Sequence, residues 1–529
     1  MQHQHTHAKS LPLALAAMLA ATIPAALQAA EPVDLAVIQR IKAEAFDNSK
    51  VMDHMFYLTD VHGPRLTNSI SFHQAADWTV DRLKSFGLAK VTKEKWGPFG
   101  KTWNYTRFSA HLLKPTYSPL IGFPMAWTPG TNGPVKGEPI LAVIKTEKDL
   151  TAFKGKLTGK IVLTDDPRVT ALLVNPLGRR YSDKELDAIE EGTVPAGARP
   201  PIDREARRRL MNAKAKFLRE EGVSLVVTVG YNGDGGTVFA AAGGGYRAED
   251  EVPPPMIALT PEHYNRIARL IKEKQSPELE VDIAATLNNT PADSYNIIGE
   301  IPGTSKRDEI VMIGAHFDSW HGGTGATDNA AGSAVMIEVM RILKALDLKM
   351  PRTVRIARWS GEELGLLGSK AYVKEHFADP ADMRITEQHA KLAGYFNYDN
   401  GSGKIRGVYL QGNDMMRPIF NDWFAPFHDL GAGRISNKDT GGTDHLSFNA
   451  VGLPGFQFIQ DPLEYSTRTH HSNMDTFDHI QEADLKQAAA IIASFVYNTA
   501  TRPDLLPRKP LPKPTPPTAA VPTQVTGNQ

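Results

Sequence analysis

From Ser294 onward the chain alternates short apolar runs with longer amphipathic ones, and this alternation restricts the fold more than any other feature. "EIVMIGA", "TVRIARW", "LAGYFNY", "GVYLQG" and "GFQFIQ" have the length and the β-branched or aromatic content of strands. "AAGSAVMIEVMRILKAL", "LLGSKAYVKEHF", "MRPIFNDWFAPFHDL" and "ADLKQAAAIIASFVYNTA" carry the spacing of helices. Strands apolar on both faces and separated by helices predict an α/β fold: a mixed, largely parallel sheet sandwiched by helices. With 41% hydrophobic residues among 529, the chain can bury such a core.

The preceding sequence has other textures. Residues 32–87 are helical in pattern, with Ile70, Ala75, Trp78, Val80, Leu83 and Phe86 on one face and Gly87 as a stop. Between residues 118 and 289, "GKIVLTDD", "REARRRLMNAKAKFLREEG", "VSLVVTVG" and "PPPMIALTPEHYNRIARLI" give strands and helices of their own, without any cluster of histidines and carboxylates. The glycine-rich "GDGGTVFAAAGGG" does not match a dinucleotide fingerprint and reads as a loop. These residues are expected to form an inserted domain, leaving 30–117 and 290–502 to the catalytic one. Residues 503–529 are proline-rich and are expected to be extended or disordered.

At the start, Lys9 precedes "LPLALAAMLAATIPAALQAA", which has the composition of a signal peptide cleaved near Ala29 or Ala30. The expectation is a secreted or periplasmic protein without stable membrane insertion after cleavage. Its 59 basic and 59 acidic residues give no net field toward nucleic acid. Without a single cysteine, thiolate nucleophiles and thiolate metal ligands are excluded. Any metal must be held by His, Asp and Glu.

Such residues recur where an open α/β sheet gathers its sites, beyond the carboxyl ends of the strands. His316 follows "IVMIGA", Glu362 and Glu363 follow "TVRIARW", and Asp399 follows "LAGYFNY". Asp328 and His471 lie in loops that can return to the same edge. Each has a plainer reading: a hydrogen-bonded histidine, a helix cap at Asp328, solvated glutamates, an ordinary turn at Asp399, a surface pair at His470 and His471. Their joint placement favours a metal centre.

"HFDSW", "GATDNAAG", "WSGEELGLLGS", "NYDNG", "GTDH" and "HHSNMD" occur in the order seen in the di-zinc aminopeptidase family of metallopeptidases, which the chain resembles. It is most similar to the carboxypeptidase Q branch, which shares a helical start containing "GPRL" and a protease-associated domain inserted before the catalytic half. The resemblance implies two zinc ions, with His316 and Asp399 on one, Glu363 and His471 on the other, and Asp328 bridging. It makes Glu362 the general base and assigns the ligand role to His471 over His470, because His471-Ser472 with Asp475 fits the family pattern. Asp318 is expected to take the second N–H of the His316 imidazole on its carboxylate. Asp444 and His445 are expected to line the cleft, without an assigned role. His445 and Asn329 depart from the branch's pattern. The implied activity is a secreted zinc-dependent exopeptidase, of aminopeptidase or dipeptidase type, that hydrolyses peptides or dipeptides with a free N-terminus through a metal-bridging water. A homodimer is left open. Two alternatives share the scaffold: a catalytically inactive binding protein and a single-zinc glutaminyl cyclase.

Overall fold

The computed structural model describes residues 31–193 and 204–515. The expected signal peptide and the last residues of the tail lie outside the described residues. A ten-stranded mixed sheet forms the body. Its principal strands are β1 (Ala89–Lys114), β2 (Glu278–Ile301), β3 (Lys306–His316), β4 (Arg352–Trp359), β5 (Leu392–Asn397), β6 (Ile405–Tyr409), β7 (Arg434–Ser436) and β8 (Gly455–Gln460). They lie in the order β7-β6-β8-β5-β3-β4-β2-β1. β4, β3, β5 and β8 run parallel, while β6 and the β2–β1 arm turn antiparallel on either flank.

β3 shows why these strands are apolar throughout. Val311, Ile313 and Ala315 enter one core, and Ile310 and Met312 enter the other. The first core is closed by α1 (Leu35–Asp47), α2 (Val51–Phe56), α3 (Ile70–Ser85), α4 (Ala331–Ala345) and α6 (Glu482–Thr501). The second is closed by α5 (Leu367–His376) and by the Phe448–Leu453 segment. Helices on both faces leave the sheet's carboxyl edge as the place where loops converge.

β1 and β2 were not expected as strands of this length. They form one long hairpin, and Lys114 pairs with Glu278 at its far end. The inserted unit therefore occupies the hairpin's mouth, and residues 278–289, expected within the insert, belong to β2. The insert has a second, five-stranded sheet built from Gly122–Pro124, Met256–Leu259, Leu225–Val229, Ile161–Leu163 and Pro139–Leu141, in that order. A strap then returns to the body. Arg180 binds Asp461 at 3.0 Å and Asp484 at 2.7 Å, and the Ile189 carbonyl accepts from Ser436 Oγ at 2.7 Å.

The described part of the tail is extended and pinned. Leu506 is buried in the first core, and Arg508 donates to the carbonyls of His389 and Leu392. Among the described residues no helix is long and apolar enough to cross a membrane.

Candidate metal centre

β3 ends on His316, and the loop after it carries Asp318 and, farther on, Asp328. The His316 imidazole meets the Asp318 backbone carbonyl at 2.9 Å through Nδ1, which must therefore be the donor. The other ring nitrogen turns inward, with Nε2 at 3.1 Å from Asp328 Oδ1 and 3.2 Å from Asp399 Oδ1. The Asp318 carboxylate, expected to take the imidazole N–H, stands 3.8 Å from Nδ1. It accepts instead from Thr67 Oγ1 at 2.7 Å and from the Glu362 N–H at 3.2 Å, so it fixes the backbone of the glutamate pair.

Asp328 lies where the helical path breaks, at φ −131° and ψ 88°, just ahead of α4. It is not the cap of that helix. Asn329 supplies that function, its Oδ1 accepting from the Gly332 N–H at 2.9 Å. A side chain at position 332 would strike the Tyr398 carbonyl at 2.3 Å, so glycine there lets α4 start against the end of β5. The two oxygens of Asp328 serve different neighbours. Oδ1 faces His316, and Oδ2 lies 3.0 Å from His471 Nε2, which is itself 2.8 Å from Glu363 Oε2. Asp399, His316, Asp328, His471 and Glu363 thus form a continuous chain of short contacts.

The character of those contacts argues for a cation. Asp328 Oδ2 and Glu363 Oε1 are buried without any hydrogen bond. A buried carboxylate oxygen left unpaired is costly. Ligand atoms from His316, Asp328 and Asp399 all lie within 4.8 Å of one another, as do those from Asp328, His470 and His471. Three carboxylates and two or three imidazoles converging in this way suit divalent ions bound by oxygen and nitrogen. His470, which the sequence pattern set aside, stacks on His471 with ring centroids 3.7 Å apart and brings Nε2 to 3.6 Å from Asp328 Oδ2.

The electrostatics follow from crowding. Burial would lower His316, but Asp399 and Glu362 together with its bond to Asp328 hold it well above the usual imidazole range. Burial and the surrounding carboxylates Asp399, Asp444 and Glu363 push Glu362 well above the carboxylate range, against the opposing pull of His316. Burial and Asp328 lift Glu363 to about 7. Asp444, expected to line the cleft, is fully buried, and neither carboxylate oxygen has a hydrogen bond. His445 Nε2 donates to the Thr440 carbonyl at 3.1 Å, and the residue follows Asp444 at the start of a short helix.

Two further residues frame the site. Asp475 accepts from Thr327 N–H at 2.6 Å, Thr327 Oγ1 at 2.8 Å and Asp328 N–H at 3.2 Å, while its own carbonyl accepts from the amides of Thr324, Gly325 and Ala326. It ties the His471 loop to the Asp328 loop. Arg65, from the "GPRL" stretch, is fully buried and donates to the carbonyls of Leu58, Phe317, Thr324 and Gly325 at 2.6 to 3.0 Å. Its distance in sequence from those partners hides this from pattern reading.

Residues 296–496 match Peptidase family M28. Carboxypeptidase Q of Rattus norvegicus is 25% identical over 454 residues, 85% of this chain and 85% of the relative. A solved peptidase M28 precursor from Shewanella amazonensis SB2B is 27% identical, covers 90% of this chain and 98% of its own, and superposes with a TM-score of 0.64. A Bacillus subtilis zinc aminopeptidase shares the fold with a TM-score of 0.54 at 20% identity, over 85% of this chain and 94% of its own.

Proposed function

We propose, from the membership of residues 296–496 in Peptidase family M28, that this metallo-exopeptidase holds two zinc ions and releases residues from peptides or dipeptides with a free N-terminus. The observation that carries the reading is the division of Asp328 between two neighbourhoods. One oxygen faces His316 and Asp399, and the other faces His471 and Glu363. Asp328 so placed would be shared by two ions, one held also by His316 and Asp399 and the other by His471 and Glu363, and the pair would act on one reacting centre. The zinc named for the Bacillus subtilis aminopeptidase supports the choice of metal.

When bound, such ions lower the pKa of a coordinated water to about 7 and polarise the scissile carbonyl. The chain supplies the rest. Glu362 is buried and lacks a ligand-type contact, while its backbone is fixed by Asp318. It takes the proton of the attacking water and returns it to the leaving amine. The Asp318 carbonyl takes the Nδ1–H of His316, which leaves Nε2 as the ring atom that would bind a metal. Asp475 and Arg65 hold the loops at fixed separation. The leader supports export to the periplasm or medium.

Glu362→Gln should retain two zinc ions per chain by elemental analysis and lose about 10²–10⁴-fold in kcat on free dipeptides. Parental turnover by that variant would remove Glu362 from the mechanism. Cleavage of N-terminally blocked peptides as fast as free ones would refute the exopeptidase reading. A single bound zinc would favour the cyclase alternative.

A further inference from the structure

The glycine-rich segment Gly233–Gly245 is largely buried. It lies against the loop that carries His471. Phe239 pairs with Ser472 as an isolated antiparallel bridge. Asn473, two residues after His471, is held three times. Its Oδ1 accepts from the Val238 N–H at 2.7 Å, its Nδ2 donates to the Gly236 carbonyl at 3.0 Å, and its own N–H donates to the Val238 carbonyl at 3.3 Å. Gly236 adopts φ +92°, a conformation that favours glycine and turns its carbonyl to Asn473.

The segment is anchored in turn to the inserted unit. The Ala126 N–H donates to the Ala241 carbonyl, the Gly243 and Gly244 amides donate to the Ala126 carbonyl, and Arg168 donates to the carbonyls of Gly230 and Gly233. A second route runs through aromatic rings. Trp127 of the insert meets Trp320 edge-on at 5.9 Å, and Trp320 meets the His471 ring at 6.0 Å.

These supports matter because His471 sits at φ +63°, in the left-handed region that a histidine seldom occupies. Such a conformation persists where its surroundings fix it. The other half of the site is framed differently. His316 ends one strand of the main sheet and Asp399 follows another, while the His316 ring is fixed by the Asp318 carbonyl and its own carbonyl accepts from Ser333 Oγ of α4 at 3.0 Å.

We propose that the inserted unit sets the affinity of the His471–Glu363 position, with Asn473 as the positioning residue, and leaves the His316–Asp399 position to the main sheet. The inference rests on the two-ion reading above. It assigns the insert a function in assembling one half of the metal centre, so that disturbance of the insert would empty one position before the other.

The test uses the full chain, stripped of metal by a chelator and titrated with zinc against a chromophoric competitor. Asn473→Ala should weaken one of the two ions by about 10–100-fold, the range for lost outer partners of a metal ligand, and leave the other within about twofold. The effect should persist in a His316→Ala background and vanish in a His471→Ala background. Asn473→Ser keeps a shorter acceptor for Val238, should show a smaller loss of the same kind, and replaces the alanine variant if that fails to fold. Equal weakening of both ions, unchanged affinities, or an undiminished effect without His471 would overturn the inference. A wild-type stoichiometry of one would overturn the two-ion reading and this inference with it, whereas two ions with unchanged affinities in Asn473→Ala would overturn the inference alone.

Discussion

Glu338 offers a quantitative test of how the helical layer is held to the site. It lies on α4, the helix that starts just after Asp328, and its side chain is fully buried. Arg341 grips both oxygens at 2.8 and 2.9 Å, the Lys50 N–H donates to Oε1 at 3.0 Å, and His54 Nε2 stands 3.3 Å from Oε2. Burial would raise this carboxyl, but the bonds from His54 and Arg341 overcome it and pull it from 4.5 to about 2. At about 1.4 kcal/mol per unit, the ionised form contributes about 3 kcal/mol to folding. The folded value lies below the unfolded one, so this contribution is complete above about pH 5 and disappears as pH falls toward 2. His54 is lowered by burial, against the pull of Glu338, so the unfolded chain protonates it first and acid destabilises through it as well. Glu338→Gln should therefore cost about 3 kcal/mol at pH 7, because Arg341, still bound to Glu44 at 2.6 Å, loses the second of its two carboxylates. In urea denaturation followed from pH 7 to pH 2.5, the gap between the variant and the parent should close on the acid side. A gap that stays constant over that range, or a variant as stable as the parent at pH 7, would refute the reasoning.

Arg65→Met should orphan four carbonyls, those of Phe317, Thr324 and Gly325 on the connection between His316 and Asp328 and that of Leu58 in the helical segment before Arg65, at about 1–3 kcal/mol each where no water replaces the guanidinium. The expected result is a lower Tm together with weaker zinc retention on dialysis, and Arg65→Lys should restore only part of either. Leu506→Ala should cost about 2–4 kcal/mol in chemical denaturation, since this tail residue is buried in the first core. A negligible change would mean that residues 503–515 do not contribute to folding.

The parallel heart of the sheet was legible because β3, β4, β5 and β8 are buried on both faces, and burial writes continuous apolar runs. The β1–β2 hairpin was not. "AKVTKEKWGPFGKTWNYTRFSAHLLK" is half solvent-exposed, and its pairing with β2 is interrupted by several register shifts, which break the alternation that would announce a strand. The candidate ligands could be picked out because each stands beside a readable strand or in a loop with family spacing. What spacing cannot reveal is which atom of a residue acts. Asp318 stood in the right place, yet its carbonyl meets His316 and its carboxylate goes to Glu362. The choice of His471 over His470 left unseen that the two rings stack and share one oxygen of Asp328. The glycine-rich stretch looked featureless because its partner, Asn473, lies 235 residues from Val238 in sequence.

The charge inventory gives a reason for this centre that does not depend on resemblance. Asp318, Asp328, Glu362, Asp399, Asp444 and Asp475 are buried, and the Glu363 side chain is 4% exposed. The buried guanidiniums set among them are those of Arg65 and Arg358. Removing so many carboxylates from water costs several kcal/mol apiece unless opposite charge accompanies them. The two guanidiniums and the imidazoles of His316 and His471 meet only part of that excess, and one guanidinium, Arg65, spends its donors on backbone carbonyls. A pair of divalent ions at the bridging carboxylate would remove most of the remaining imbalance. Apolar residues of similar volume would fill this space at lower cost. The carboxylates are therefore poor stabilisers of the empty fold, and on the two-ion proposal they would make metal binding and folding a linked equilibrium in this chain.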